Sequence, residues 1–400
     1  MQLTETAVKP VYTLRQLILY FLKLGYSGFG GPVALVGYMH RDLVEERKWI
    51  SEEDYKEGLT LAQLAPGPLA AQLSIYLGFV HYRYIGATLV GLVFVLPSFI
   101  MVVILGFFYK MYNGISWMQA VFYGVGAAVI GIITMSSYKL TVKSIGKFTI
   151  ASFTQKYILW LLYLTAIIVT FVTHSEVLLL FIASGLLYMF IKAPPAWAKT
   201  GIAKSVLLFG TAGFWGYNSG TLQQMGWFFL KAGAFVFGSG LAIIPFLHGA
   251  VADYHWIDEH QFIDAVAVAM ITPGPVVITV GFIGYLVAGF PGACVAAAAT
   301  FLPCYLFTVI PAPYFKKYAK NTSIKAFVDG ITSAVVGALT ASVLIIAINT
   351  FTQNHTVTVD IPSVIIAVLT VLSLLYIKKL QEPYIILIAA IIGLLLKSLH

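Results

Sequence analysis

The sequence predicts an all-α polytopic membrane protein built from two inverted-topology repeats, and three observations lead there. Of its 400 residues, 60% are hydrophobic and only 10% charged, against about 25% charged in a soluble globular domain. Twelve apolar stretches of about 17 residues or more can be marked along the chain, each long enough to enter a bilayer. The two halves repeat each other in glycine, proline, tryptophan and lysine positions, while the charges of their loops run in opposite senses.

The N-terminal segment 1–13 is polar and has no apolar core with a cleavage site behind it, so no secretory peptide is expected. The apolar stretches then run 14–38, 59–81, 84–109, 117–138, 157–173 and 176–191, and resume at 222–249, 261–287, 290–311, 324–349, 361–377 and 383–399. This divides the chain into a first repeat at 1–192, a linker at 193–221 and a second repeat at 222–400. The linker carries Pro194-Pro195, Lys199 and Lys204, then a weakly apolar run at Ser205–Tyr217 with no assigned place in the repeat. The net charge of +8 comes from basic residues scattered between apolar stretches, which sets topology and makes no nucleic-acid patch. Cys294 and Cys304 fall in one apolar stretch and read as small buried hydrophobes, with no disulfide, metal or other cofactor implied.

Two stretches are interrupted. Pro66-Gly67-Pro68 and Pro273-Gly274-Pro275 each break a run otherwise apolar enough for the bilayer. Proline removes a donor and clashes with the preceding turn, so a helix stops and restarts there. In lipid a broken backbone is tolerated only against protein or a wet cavity. A matched pair of broken segments is the sequence pointer to a transporter's binding site.

The repeat is dense. Leu22-Lys23-Leu24-Gly25 answers Leu230-Lys231-Ala232-Gly233, and Phe29-Gly30-Gly31-Pro32 answers Phe237-Gly238-Ser239-Gly240. Trp49 answers Trp256, Gly86-Ala87 answers Gly292-Ala293, Leu96-Pro97 answers Leu302-Pro303, and Gly124 and Gly131 answer Gly330 and Gly337. The offset drifts only from 208 to 206, which marks a duplication. Arg41, Arg47, Lys48 and Lys56 follow the first stretch, whereas the matching 250–260 has no Lys or Arg. Lys139, Lys143, Lys147 and Lys156 follow the fourth stretch, while the loop 350–360 has none and Lys316, Lys317, Lys320 and Lys325 precede its stretch. Matched loops therefore face opposite sides. One pattern satisfies them: in each half the first stretch crosses, the Pro-Gly-Pro stretch is re-entrant and the next four cross, giving about five crossings per half and both termini outside. A second scheme, with full crossings at the Pro-Gly-Pro stretches and another at 205–217, also fits.

The run Phe29-Gly30-Gly31-Pro32, the basic loop to Trp49, Gln63-Leu64-Ala65-Pro66-Gly67-Pro68, Gln72, Tyr76, Gly86 and Phe94-Val95-Leu96-Pro97-Ser98-Phe99 closely resembles the chromate transporter family in its long two-domain form. The second half departs from the motif: Phe237-Gly238-Ser239-Gly240 lacks the proline, and Thr279 stands where the first half has Gln72. The resemblance implies a multi-pass protein of the cell membrane that moves chromate, as export for oxyanion resistance, with sulfate as the look-alike substrate.

A tetrahedral dianion needs donors in place of water, and helix N-termini supply free N–H groups at a positive dipole end. The candidate substrate-binding residues are therefore Pro66, Gly67, Pro68, Pro273, Gly274 and Pro275 at the breaks, with Gly30, Gly31, Gly238, Ser239 and Gly240 beside them. Gln63, Gln72, Ser98 and Thr272 add neutral donors, and Lys23 and Lys231 add matched charges some nine residues into an apolar stretch. An ionisable group at that depth is a functional candidate, although a lysine stem also snorkels. Glu57 and Asp264 are matched acids that either carry coupling protons or cap helices. His40 and His248 coincide across the repeat and read as structural interfacial residues.

No metal-ligand cluster, metalloprotease motif or nucleotide loop is present, so an enzyme and an ATP-driven pump are excluded. A secondary carrier with alternating access is expected; a sulfate or other oxyanion carrier and a passive anion channel are the alternatives. The expected partners are a small oxyanion, the lipid bilayer and, in a homo-oligomer, further copies of the chain.

Overall fold

The computed structural model describes residues 11–29, 31–112, 115–173, 178–195, 220–238, 240–244, 246–248, 254–315, 321–352, 359–377 and 382–398. It is an all-α fold, and among the described residues its one ladder pairs two residues with two. The run Ser205–Tyr217, Gly30 and Ser239 lie outside the described residues.

The chain opens with two helical hairpins. Thr13 and Gln16 form a capping box that starts α1 (Leu14–Ser27), which satisfies N–H groups an uncapped helix would leave open. Past Gly28 the chain turns into α2 (Gly31–His40) and a π-helical turn (Arg41–Glu46). These limbs lie side by side: the Tyr20 hydroxyl donates to the Asp42 carboxylate at 3.2 Å, and Tyr12 stacks on Trp49 with ring centroids 5.0 Å apart. The stretch 14–38 therefore doubles back instead of crossing, contrary to the expectation from its length. Hydropathy fixes how much apolar chain is buried, not whether it bends halfway.

Ser51 caps α3 (Glu52–Leu64), which stops at Pro66, and α4 (Leu69–Tyr112) follows. α4 is two limbs joined at Arg83, whose φ of 50° breaks the helix. The Tyr82 hydroxyl donates to the Tyr12 carbonyl, so the first limb returns to the end from which α1 set out. The second limb runs the length of the molecule to Tyr109, which meets Asp264 in the other half.

The second half repeats the scheme. α9 (Thr221–Ala234) leads to a return turn beginning at Gly240–Ile243, and Tyr254 and Trp256 come back to pack on Phe228, each at 5.4 Å. The stretch 222–249 thus also doubles back. Asp258 and Gln261 box the start of α10 (Glu259–Ile271), and α11 (Thr279–Val309) bends at Ala288 and Gly289. Beyond the bend α11 runs to the first half's end of the molecule, where Val309, Ala312 and Phe315 join the core around Tyr12 and Leu17. A His–Glu pair recurs in each half, His40 with Glu52 at 2.8 Å and His248 with Glu259 at 2.9 Å, pinning the return limb of one hairpin to the start of the next. The hydrogen bonds from His40 and Lys56 hold the Glu52 carboxyl below the usual carboxylate range.

The remaining helices, α5 (Ser116–Ser144), α6 (Ile150–Gln155), α7 (Tyr157–Thr173), α8 (Leu178–Lys192), α12 (Thr322–Phe351), α13 (Ile361–Tyr376) and α14 (Glu382–Ser398), interleave the two halves. α5 lays Gly124 on α14 and Gly131 on α13, whereas α12 lays its matched Gly330 on α8 and Gly337 on α7. Small residues let apolar helices approach closely where burial of oil by oil gives no driving force. Among the described residues four helical segments are long and apolar enough to cross a membrane, Leu69–Tyr112, Trp117–Ser144, Val276–Tyr314 and Thr322–Phe351, and four shorter apolar helices accompany them.

Basic loop residues gather at one end, alongside the acids Asp42, Glu45, Glu46, Glu52, Glu53, Asp54 and Glu57. Arg41, Arg47, Lys48 and Lys56 lie at the end that holds Tyr12 and Trp49, and α5 and α12 bring Lys143 and Lys325 there. Asp258, Glu259, Asp264 and Asp360 lie at the opposite end, with the close of α14. Among the described residues α1 starts at the basic end and α14 closes at the acidic end; the termini themselves, expected to lie both outside, fall outside the described residues.

Candidate functional site

The four hairpin tips converge at the middle of the molecule. The Gly67 N–H donates to the Val236 carbonyl, and Gly67-Pro68 pairs in parallel with Phe237-Gly238. The Gly274 N–H donates to the Gly28 carbonyl at 3.0 Å. Gly67 and Gly274 are repeat mates, as are Gly28 and Val236, so each half gives its broken segment to the first hairpin of the other. The Ser98 hydroxyl, fully buried on the second limb of α4, donates to the Pro273 carbonyl at 2.7 Å.

The side chains beside the tips differ between halves. Gln72 is fully buried, its Nε2 donates to the Pro66 carbonyl at 2.8 Å, and its Oε1 has no partner among the described residues. Its mate Thr279 turns its hydroxyl to the Val276 carbonyl at 2.7 Å. Thr272 does the same to Ala269 at 3.1 Å. The Gly67 and Gly274 amides, with the Ser98 hydroxyl, thus serve protein carbonyls. The first-turn amides of α4 and those of Val276 and Val277 are the donors that helix geometry leaves open at the tips, the Ile278 amide being taken by the Pro275 carbonyl at 3.0 Å.

Of the other candidates, Lys23 is exposed one turn before the first tip, and Lys231 is half-buried at the matching place. Gln63 is exposed and Gly240 is buried, while Gly31 starts α2 at a φ of +73°. The two acids are not neighbours. Glu57 faces Tyr76 near the basic end, whereas Asp264 is 7% exposed at the acidic end and accepts from Tyr109 at 2.7 Å. Asp264 and Tyr109 line a cavity of about 460 Å³ that none of the tip residues lines. Tyr109 was invisible to motif reasoning, since it lies 155 residues from its partner; the only signal was an acid, Asp264, inside an apolar stretch. Replacing Ser98 with Ala leaves the Pro273 carbonyl unpaired, an expected loss of about 1–3 kcal/mol, to be read as a lowered melting temperature in detergent.

Apolar helices wrapped around facing interrupted ones define a multi-pass membrane protein of the transporter class. The chain belongs to the chromate transporter family, whose model matches residues 15–189 and again 223–394. It is 61% identical over 390 residues to the chromate transport protein of Cupriavidus metallidurans, covering 96% of this chain and 94% of that one. It is 56% identical over 400 residues to a probable chromate transport protein of Synechococcus elongatus, covering 98% of each. A chromate transport protein of Pseudomonas aeruginosa is 29% identical over 360 residues, 86% of this chain and 83% of that one. No solved structure matches the chain. Members of this family are transporters and not enzymes, and the resemblance read from Phe29 to Phe99 extends over both halves.

Proposed function

We propose that the chain is a secondary transporter that exports chromate across the cell membrane, one half moving against the other to alternate access. The observation that carries this reading is the reciprocal exchange of tips, Gly67 to Val236 and Gly274 to Gly28. A contact made twice, once from each half, is one that a rocking motion can open on alternate sides. The halves are read as inverted repeats because the first half's hairpins open toward the basic end and the second half's toward the acidic end. The positive-inside rule then assigns the basic end to the cytoplasm.

The oxyanion is assigned to the tips, held by the first-turn amides of α4 and by those of Val276 and Val277. Pro66, Gly67, Pro68, Pro273, Gly274 and Pro275 shape the backbone there, and Gly31, Gly238 and Gly240 line the approach. Gln63, Gln72, Ser98 and Thr272 order the surrounding polar groups, and Lys23 and Lys231 supply charge to offset that of the dianion. Glu57 and Asp264 are the candidates for coupling. Lys23→Gln is expected to raise the apparent KM for chromate by about tenfold, equivalent to 1.4 kcal/mol, with little change in maximal rate. An unchanged KM would leave Lys23 as a snorkelling residue.

The test is flux of labelled chromate and labelled sulfate in proteoliposomes of known orientation, with and without a proton gradient. Saturable chromate flux with counterflow supports the carrier. Ohmic currents would indicate a channel, and a clear preference for sulfate would move the substrate to the other dianion.

A further inference from the structure

Three carboxylates line the cavity at the acidic end, and two of them have structural work. Asp258 caps α10 by accepting from the Gln261 amide at 2.8 Å. Asp360, just before α13, accepts from the Tyr123 hydroxyl at 2.7 Å and from Ser363 at 2.6 Å. Asp264 has no such role. It lies within α10, past the first turn where an acid would favour the dipole. Its one hydrogen bond among the described residues is from Tyr109. Among the described residues no Lys or Arg lines the cavity. A buried carboxylate with neither a cation nor a second donor is costly to keep charged, and no group of acids, His or Cys among the described residues is arranged to hold a metal ion. The ligand that suits this site is a proton.

We propose that Asp264 is a proton-binding site served by this cavity, and that its protonation is coupled to movement of the oxyanion at the tips. The proposal rests on the transport reading above and adds to it which acid is used and from which end the proton arrives. Hydronium in the cavity gives its proton to a carboxyl oxygen of Asp264 and leaves as water. Tyr109 keeps its own proton and its hydrogen bond, and so acts as a positioning residue. The connection to the tips is mechanical. Asp264 and the break at Thr272–Pro275 are on one helical arm, and that break holds the Gly28 carbonyl through Gly274. Movement of α10 on losing or gaining the charge therefore pulls on the contact between halves.

The other titratable groups facing the cavity are Tyr109 from α4, Tyr123 from α5, Asp258 and His260 at the start of α10, and Asp360 ahead of α13. α12 contributes only the neutral Asn349 and Thr350 to the lining. Glu259 is engaged by His248 and Asn349. Glu57 has no equivalent place: it is half-buried at the opposite end, against Tyr76.

The experiment uses the full chain in proteoliposomes and in detergent. Asp264→Asn is expected to reduce proton-gradient-driven chromate flux by about tenfold or more, within the range usual for coupled sites, while chromate–chromate exchange persists. Asp264→Glu should restore part of the driven flux, and Tyr109→Phe should shift its pH profile without abolishing exchange. Infrared difference spectra provide a readout independent of substrate. A protonated-carboxyl band that grows as wild-type protein is acidified and is missing in Asp264→Asn supports the site even if chromate proves not to be the substrate. Driven flux in Asp264→Asn equal to wild type overturns the proposal. So does a carboxyl band unchanged by the substitution, or loss of exchange together with driven flux in both folded Asp264 variants.

Discussion

Gly274→Val is expected to abolish chromate flux in a protein that still inserts. Gly274 sits at a φ of +98°, a region where a β-branched side chain is strained by about 1–2 kcal/mol. A Cβ there would run into the Ser98 hydroxyl and lie 3.3 Å from the Gly25 carbonyl oxygen. Ser98 is fully buried and holds Pro273, so it cannot swing away without freeing the carbonyl it satisfies. Overpacking of this kind adds about 1–3 kcal/mol. The strain falls on the tip contact, whereas the long helices that carry insertion are untouched. A fall in flux of roughly a hundredfold, the equivalent of about 2.7 kcal/mol in a barrier, is expected. Gly67→Val should act in the same direction but less strongly. Its φ is +145°, and the first atoms met are Cδ and Nε2 of Gln72 at 2.7 Å, a milder clash with the end of a side chain that yields only by giving up its bond to the Pro66 carbonyl. Flux per inserted molecule, with surface labelling to count molecules, measures both; wild-type rates from either well-inserted variant would remove the tips from the mechanism.

The tips were legible because proline and glycine declare broken helices in any surroundings, and because Pro66-Gly67-Pro68 and Pro273-Gly274-Pro275 sit at matched offsets. The bends within α4 and α11 were legible too: the apolar stretches separate at 82–83 and 288–289, where Arg83 and Gly289 take positive φ. The first hairpins were not. The run 14–38 has the length and composition of a crossing helix, and nothing in its hydropathy distinguishes a straight segment from one folded at Gly28. Nor does sequence report which carbonyl an amide will meet. The N–H groups of Gly67 and Gly274 looked available for an anion, yet they bind Val236 and Gly28, residues far away in the chain.

The departures between halves acquire a physical meaning in this arrangement. Ser98 holds the second half's break, while the matching position in α11 is Cys304, buried in the apolar core of the first half. Gln72 bridges its own break, where Thr279 only folds back on the preceding turn. A scaffold duplicated in backbone is thus asymmetric in polar contacts. The two breaks are therefore held by different polar contacts, Gln72 across one and Ser98 across the other.

Gly86→Leu is expected to fail earlier, by preventing the fold. The limbs of α4 cross where Gly78 faces Gly86: a Cβ on Gly78 would lie 2.5 Å from the Gly86 carbonyl oxygen, and one on Gly86 would strike the Gly78 oxygen. The repeat mates Gly284 and Gly292 meet in the same way across the bend of α11. These are contacts of backbone on backbone, so no rotamer change relieves them. The limbs must spread, which opens the turn at Arg83 and draws the Pro66–Pro68 tip, at the far end of the short limb, out of its pairing with Phe237 and Gly238. The resulting loss, about 3 kcal/mol or more at the upper end of overpacking effects, is a large share of a marginal stability of roughly 5–15 kcal/mol. Gly226→Ala is the comparison, because its nearest neighbour, a Val295 methyl, would be in ordinary contact at 3.5 Å. Size-exclusion profiles and melting curves in detergent should separate them, with Gly86→Leu aggregated or absent and Gly226→Ala close to wild type. A monodisperse, transporting Gly86→Leu protein would mean that the two limbs of α4 do not need this crossing to bring the tips together.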